Sequence, residues 1–92
     1  MSSIVIRDAR LAESGPDDAE TLLELIKGLA LYEREPHAVK ATVHDLRRHG
    51  TGPRPRFEAI MAELDGRPAG FALFFHNYST WTGKPGLYLE DL

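Results

Sequence analysis

The chain has 92 residues and a mass of 10.3 kDa, and 42% of its residues are hydrophobic, 27% charged and 9% aromatic. This composition is typical of one small folded domain with a single core and excludes a disordered tail or a fibre. The formal net charge of −3 argues against a nucleic-acid binder held by global positive charge. The lack of cysteine excludes disulfides and thiolate chemistry, and no apolar stretch is long enough to predict a membrane span, so we expect a cytoplasmic location.

The first half of the chain predicts one strand followed by two helices. Residues 4–7 are short, largely β-branched and indicate a strand. Apolar residues then recur at three- and four-residue spacing, which predicts a helix over residues 17–33 with Asp17 and Glu20 as a capping box. A second capping signature begins a shorter helix over residues 42–50.

The second half predicts three strands. Residues 57–64 are apolar on both alternating sets, which indicates a strand buried on both faces. The Asp-Gly pair at 65–66 is a strong hairpin signal and leads into a returning strand over residues 69–75. A loop over residues 77–86 then precedes a final strand over residues 87–92. The order strand, helix, helix, strand, strand, strand predicts an α+β fold, with helices packed on a mainly antiparallel sheet.

The histidines and arginines give no specific sign of a site. The four histidines lack cysteine partners and the spacing of a zinc site, so we expect no metal. They are His37, His44, His49 and His76. Four arginines form a local basic cluster, which we interpret as solvated surface, and we expect no nucleic-acid partner. They are Arg47, Arg48, Arg54 and Arg56.

Carboxylates close to aromatic side chains are the more informative set. Tyr32 and Glu33 lie at the end of the long predicted helix, and Trp81 lies in the loop before the last strand. Glu90 and Asp91 lie on that strand, where adjacent side chains reach one pocket only if the strand bulges. Carboxylates and aromatic faces together bind an amine cation, while the competing interpretation is a solvated helix end and a packed tryptophan.

Two stretches carry a family resemblance: residues 25–33 (LIKGLALYE) and residues 71–92 (FALFFHNYSTWTGKPGLYLEDL). Together they resemble the diamine acetyltransferase branch of the GNAT N-acetyltransferase superfamily, and the resemblance covers essentially the whole chain. The sequence Tyr-Ser-Thr-Trp at residues 78–81 is more similar to the thialysine-acetylating members. The spermidine/spermine enzymes have an Asp-Pro pair before the tryptophan.

The resemblance implies transfer of an acetyl group from acetyl-CoA to a small primary amine, which is a diamine, a polyamine or a thialysine-like amine. The positions that match the family's amine-binding residues are Tyr32, Glu33, Trp81, Glu90 and Asp91. Leu92 matches the first residue whose backbone contacts the cofactor.

The resemblance also implies that residues 1–92 are the N-terminal half of one GNAT domain. The family's pyrophosphate loop and its proposed general acid match no residue of the chain. We therefore expect the chain to be inactive alone and to need a missing C-terminal half or another chain. We also expect a homodimer. The alternative is a non-catalytic α+β binding or assembly module that self-associates through its last strand.

Overall fold

Four strands form one antiparallel sheet in the computed structural model, which describes the backbone of residues 3–91 and the side chains of residues 3–90. The strands are β1 (Ile4–Asp8), β2 (Glu58–Leu64), β3 (Arg67–Ser79) and β4 (Lys84–Asp91). The helices are α1 (Ala19–Tyr32) and α2 (Val43–Gly50), with one 3-10 turn at Pro36–Ala38 between them. The strands lie side by side in chain order, which confirms the predicted α+β fold and its order of elements.

The β2–β3 hairpin fixes the register of the sheet. Leu64 pairs with Arg67, so only Asp65 and Gly66 form the turn, with φ values of 52° and 79°. Positive φ at both central residues is the backbone of a type I′ turn, whose twist suits a two-residue hairpin. The hairpin predicted from the Asp-Gly pair is therefore confirmed.

The core lies between the two helices and one face of the sheet. Leu22 of α1 and Met61 of β2 are completely buried there, and Leu46 of α2 joins the same cluster. The last residue of α2, Gly50, lies so close to the Phe57 ring that an added Cβ would come within 2.9 Å of it. Glycine at the end of α2 therefore leaves the space that the side chains of Leu11 and Phe57 occupy.

The opposite face of the sheet is apolar but uncovered by any described element. We expected the β2 segment to be buried on both faces, and this prediction is wrong, because both helices pack on the same side. Ile4 and Ile6 of β1 are 71% and 66% exposed on the uncovered side. The apolar residues facing this side include Ile4, Ile6, Ile60, Ala62, Ala72 and Leu89.

β3 and β4 extend beyond the rest of the sheet as a two-stranded arm. β2 pairs with β3 only as far as Phe74, whereas β3 continues to Ser79 and β4 begins at Lys84. The loop predicted over residues 77–86 is therefore wrong apart from the turn at residues 80–83. Pro85 is tolerated within a strand because β4 is the edge of the described sheet.

Two arginine–aspartate contacts fix the segment that precedes α1. Arg7 on β1 donates two hydrogen bonds to the Asp18 carboxylate, at 2.7 and 2.9 Å, and a third to Glu63 on β2 at 2.6 Å. Arg47 of α2 donates to Asp17, whose side chain is only 2% exposed. The hydrogen bonds from these arginines hold the pKa of each aspartate below its ordinary value of 3.8.

The predicted capping box of α1 is wrong. The N-cap residue is Asp18, which makes no side-chain capping bond because its carboxylate accepts from Arg7 and from the backbone N–H of Arg10. Asp17 accepts from the Ala19 N–H at 3.2 Å instead. By contrast, α2 has a complete capping box between Thr42 and Asp45, which confirms the second predicted helix start.

Arg7→Ala should lower the free energy of unfolding by about 1.5–3 kcal/mol, because hydrogen bonds to charged groups contribute about that much and two carboxylates lose their partner. Urea unfolding at neutral pH measures the change. Arg54→Ala removes an exposed arginine with no described ion pair, and it should change the free energy by less than about 0.5 kcal/mol. Equal losses in the two variants would contradict the assignment.

The same contacts predict a pH dependence. Because Asp17 and Asp18 have lowered pKa values in the folded chain, the stability they contribute is fully present above the unfolded value of 3.8. It is lost as the pH falls through the folded pKa values. The free energy of unfolding should therefore fall on acidification below about pH 4, and it should fall less steeply in Arg7→Ala. Parallel curves would show that Arg7 does not set the pKa of Asp18.

Candidate functional site

A groove of about 400 Å³ opens where the end of α1, the segment before α2 and the end of β4 meet. Its walls are largely apolar, and three charged residues line it: Glu33, Lys40 and Glu90. The other lining residues are Ile26, Leu29, Ala30, Ala38, Val39 and Ala41. The groove therefore brings together two carboxylates that are 57 positions apart in the sequence.

The end of α1 places Glu33 at the groove. Glu33 is the C-cap residue, and the chain then turns at Arg34, whose φ is 63°. The Arg34 and Glu35 N–H groups donate to the carbonyls of Leu31 and Ala30, at 3.0 and 2.8 Å, which is the bond pattern of a Schellman motif. A left-handed residue that is not glycine costs about 1–2 kcal/mol, and here it closes the helix directly after a groove carboxylate.

A β-bulge places Glu90 at the same groove. Leu73 of β3 pairs with Asp91 and the next residue, Phe74, pairs with Leu89, so Glu90 is an extra residue with no partner on β3. Bulges re-aim side chains and often lie near functional sites. On a regular strand, Glu90 and Asp91 would point to opposite faces, so they could share a pocket only if the strand bulges, as it does here.

Both groove carboxylates are available to a ligand. Glu33 and Glu90 are exposed, and the ion pairs found among the described residues involve neither of them. Two carboxylates beside an apolar wall can bind an alkylammonium ion, whose charged end takes the hydrogen bonds while its methylenes cover the wall.

The structure does not bring the remaining predicted site residues into this groove. Tyr32 is 85% exposed and does not line it. Trp81 is 97% exposed and lies in the turn at the tip of the β3–β4 arm, about 20 Å along β4 from Glu90 at the usual rise per residue. The side chain of Asp91 and the whole of Leu92 lie outside the described residues, so their predicted roles stay predictions.

Lys40 is a groove residue that the sequence did not single out. It lies between the 3-10 turn and α2, in a segment with no repeating pattern that would predict its neighbours. The arginines of the basic cluster have different environments. Arg47 forms an ion pair with the buried carboxylate of Asp17, whereas Arg48 lies 3.3 Å from Nε2 of the exposed His49. A local cluster in the sequence therefore combines a structural residue with surface ones.

All four histidines are exposed, and two of them, His44 and His49, lie on α2. On the sheet, His76 lies 3.2 Å from Glu58. Residues 3–90 contain no group of three or more side chains arranged to hold a metal ion. Within the described part of the chain, no helix has the length and apolarity needed to cross a bilayer.

Comparison with known proteins gives the class to which the chain is related. No family model matches it. The chain is 36% identical to the thialysine N-epsilon-acetyltransferase of Sus scrofa over an alignment that covers all of this chain and 55% of the pig protein. It is 40% identical to the human spermidine/spermine N(1)-acetyltransferase-like protein 1, over 89% of this chain and 12% of the human protein.

A third relative, the thialysine N-epsilon-acetyltransferase of Caenorhabditis elegans, is 36% identical over 84% of this chain and 46% of the nematode protein. These relatives all carry the names of N-acetyltransferases or of a protein like one. The family resemblance seen in the sequence is therefore confirmed: the chain is a homologue of thialysine N-epsilon-acetyltransferases and of a spermidine/spermine N(1)-acetyltransferase-like protein. It spans about half the length of the thialysine acetyltransferases it matches.

Proposed function

We propose that the protein containing this chain is an acetyl-CoA-dependent N-acetyltransferase of small primary amines, and that the groove binds the amine. The observation that carries the proposal is the meeting of Glu33 and Glu90 in one groove. The family resemblance matches both positions to amine-binding residues. Residues 1–92 are, in this proposal, part of a single acetyltransferase domain.

The groove suits the first task of such an enzyme, which is to hold a cationic substrate. Primary alkylamines have pKa values near that of lysine, about 10.4, so they arrive protonated at neutral pH. Glu33 and Glu90 can accept hydrogen bonds from the ammonium group, and Ile26 and Leu29 can cover its alkyl chain. Binding in this form selects a small amine over a neutral ligand.

The second task is to remove a proton, because only the free amine has the electron pair needed for attack. Acetyl-CoA supplies an acetyl thioester, whose carbonyl carbon forms a bond to the amine nitrogen while the bond to sulfur breaks. Glu33 and Glu90 are exposed, so a water molecule beside either carboxylate can pass the ammonium proton to solvent. After the new bond forms, the nitrogen loses a second proton, and the departing thiolate takes up one proton, so that one proton in all is released to solvent; the described residues do not identify the acid that protonates the thiolate.

The edge of β4 fits the acetyl end of the co-substrate. β4 is the outermost strand of the described sheet, and its free N–H groups can donate to the thioester carbonyl. The pyrophosphate does not fit either described α-helix start. Asp17 and Asp18 lie at the start of α1, and the capping box of Thr42 and Asp45 occupies the start of α2. We therefore propose that another part of the protein holds the pyrophosphate.

Glu33→Gln and Glu90→Gln should each raise the KM for thialysine by about two- to tenfold in the acetyl-transferring protein, because each removes one charged partner of the ammonium. Initial rates at saturating acetyl-CoA measure this. Glu24→Gln, an exposed change on α1 outside the groove, is the matched control and should leave KM unchanged. If the two carboxylates share one ammonium, the double variant should not show the product of the single effects. Unchanged KM in both single variants would remove the site assignment.

The 92-residue chain should bind acetyl-CoA weakly, because carboxylates already lie at both described α-helix starts and would repel the pyrophosphate. Isothermal titration calorimetry of the chain should give no binding in the micromolar range. A micromolar Kd would show that the described residues do hold the pyrophosphate.

The second candidate function is a non-catalytic module that assembles through its last strand. The observation favouring it is the exposed apolar side of β4, where Leu87 and Leu89 are 61% and 53% exposed on an edge strand. A homodimer and a cytoplasmic location are compatible with both candidate functions and stay predictions. They differ in whether the protein acetylates an amine.

Association through β4 should be visible by light scattering of the chain at micromolar concentration. Leu89→Lys should reduce it, because the new charge lies on the edge strand that pairs. Leu31→Lys changes an exposed leucine on α1, away from the edge strand, and it should leave association unchanged. A stable species of about 10 kDa in the unaltered chain would contradict the assembly function and the expected homodimer for these residues.

A further inference from the structure

The groove is lined by one positively charged residue as well as by the two glutamates. Lys40 lines it together with Glu33 and Glu90, from the extended segment that follows the 3-10 turn. The Lys40 side chain is exposed, and no ion pair within 4.0 Å joins it to either glutamate among the described residues. Its ammonium group is therefore available to a ligand and does not neutralise the carboxylates by direct contact.

A lysine in an amine-binding groove has a clear electrostatic consequence. A diamine or polyamine carries a second cation, and that cation is repelled if it lies near Lys40. An amine that also carries a carboxylate can place its ammonium between Glu33 and Glu90 and its carboxylate beside Lys40. The charges that line the groove thus suit an amine whose second cationic end also bears a carboxylate better than an amine whose second end is a cation alone.

We propose that Lys40 is a specificity-determining residue that favours amines bearing a carboxylate over diamines and polyamines that lack one. The inference rests on the proposed function, because it assigns the substrate class of the same groove. The names of the relatives include both kinds of amine, since thialysine is an amino acid and spermidine is a polyamine. Lys40 gives a physical reason for this chain to select the first kind.

A matched pair of probes isolates the carboxylate. Thialysine and bis(2-aminoethyl) sulfide have the same two amines and the same sulfur, and they differ only in the carboxylate. NMR titration of the 92-residue chain at low salt gives a Kd for each probe, and the ratio of the two values reports selectivity. Lys40→Gln should shift this ratio towards the diamine by about two- to fivefold, the range expected for one exposed ion pair. Lys40→Glu should shift it further, and added salt should reduce both shifts.

Two further variants control for charge and folding. Lys40→Arg keeps the positive charge and should retain the unaltered ratio. Lys84→Gln makes the same charge change at the other end of β4, outside the groove, and should not alter the ratio. An unchanged ratio in Lys40→Gln and Lys40→Glu would overturn the role of Lys40. If Glu90→Gln still weakened both probes, the amine site itself would stand. If neither probe bound the unaltered chain, the amine site and this inference would both fail.

Discussion

The contact of Arg7 with Asp18 and Glu63 determines where α1 begins on the sheet. One guanidinium joins β1, β2 and the residue that precedes α1, and each carboxylate it binds is largely shielded from water. A helix of 14 residues is about 21 Å long, so the anchored start of α1 and its buried side chains, Leu22 among them, together set the position of its last turn. Glu33 directly follows that last turn, at the end of the helix opposite to Asp18.

The groove combines features that act against one another. Carboxylates that hold an ammonium ion also stabilise its proton, which the amine must lose before it can attack. Exposure of Glu33 and Glu90 moderates this conflict, because water lowers the strength of each ion pair and provides a path for the proton. A more deeply buried pair of carboxylates would bind the cation more tightly and release its proton less readily.

Two local features of the fold could be predicted from the sequence, whereas the features that depend on packing could not, and the α1 capping box failed because Arg7 binds the carboxylate of its N-cap residue. The Asp65-Gly66 turn and the capping box of α2 require only neighbouring residues, so their sequence patterns were sufficient. The burial of β2 depends on which side the helices cover, and apolar residues on both sides do not contain that information. The proposed amine site also combines residues that the sequence suggested with one that it did not. Glu33 and Glu90 were suggested by the family resemblance, but Lys40 enters the groove through a tertiary contact with no local signal.

Because of the bulge in β4, the number of residues in that strand decides which face of the sheet each of its side chains occupies. Side chains alternate between the two faces of a strand, so removing the one extra residue would exchange the faces of all residues on one side of the deletion. Leu87 and Leu89 lie on the uncovered face, whereas Glu90 reaches the groove on the helix side. In homologues of this chain, insertions and deletions should therefore accumulate in the turn at residues 80–83 and be rare between Leu87 and Glu90, even where the side chains there vary.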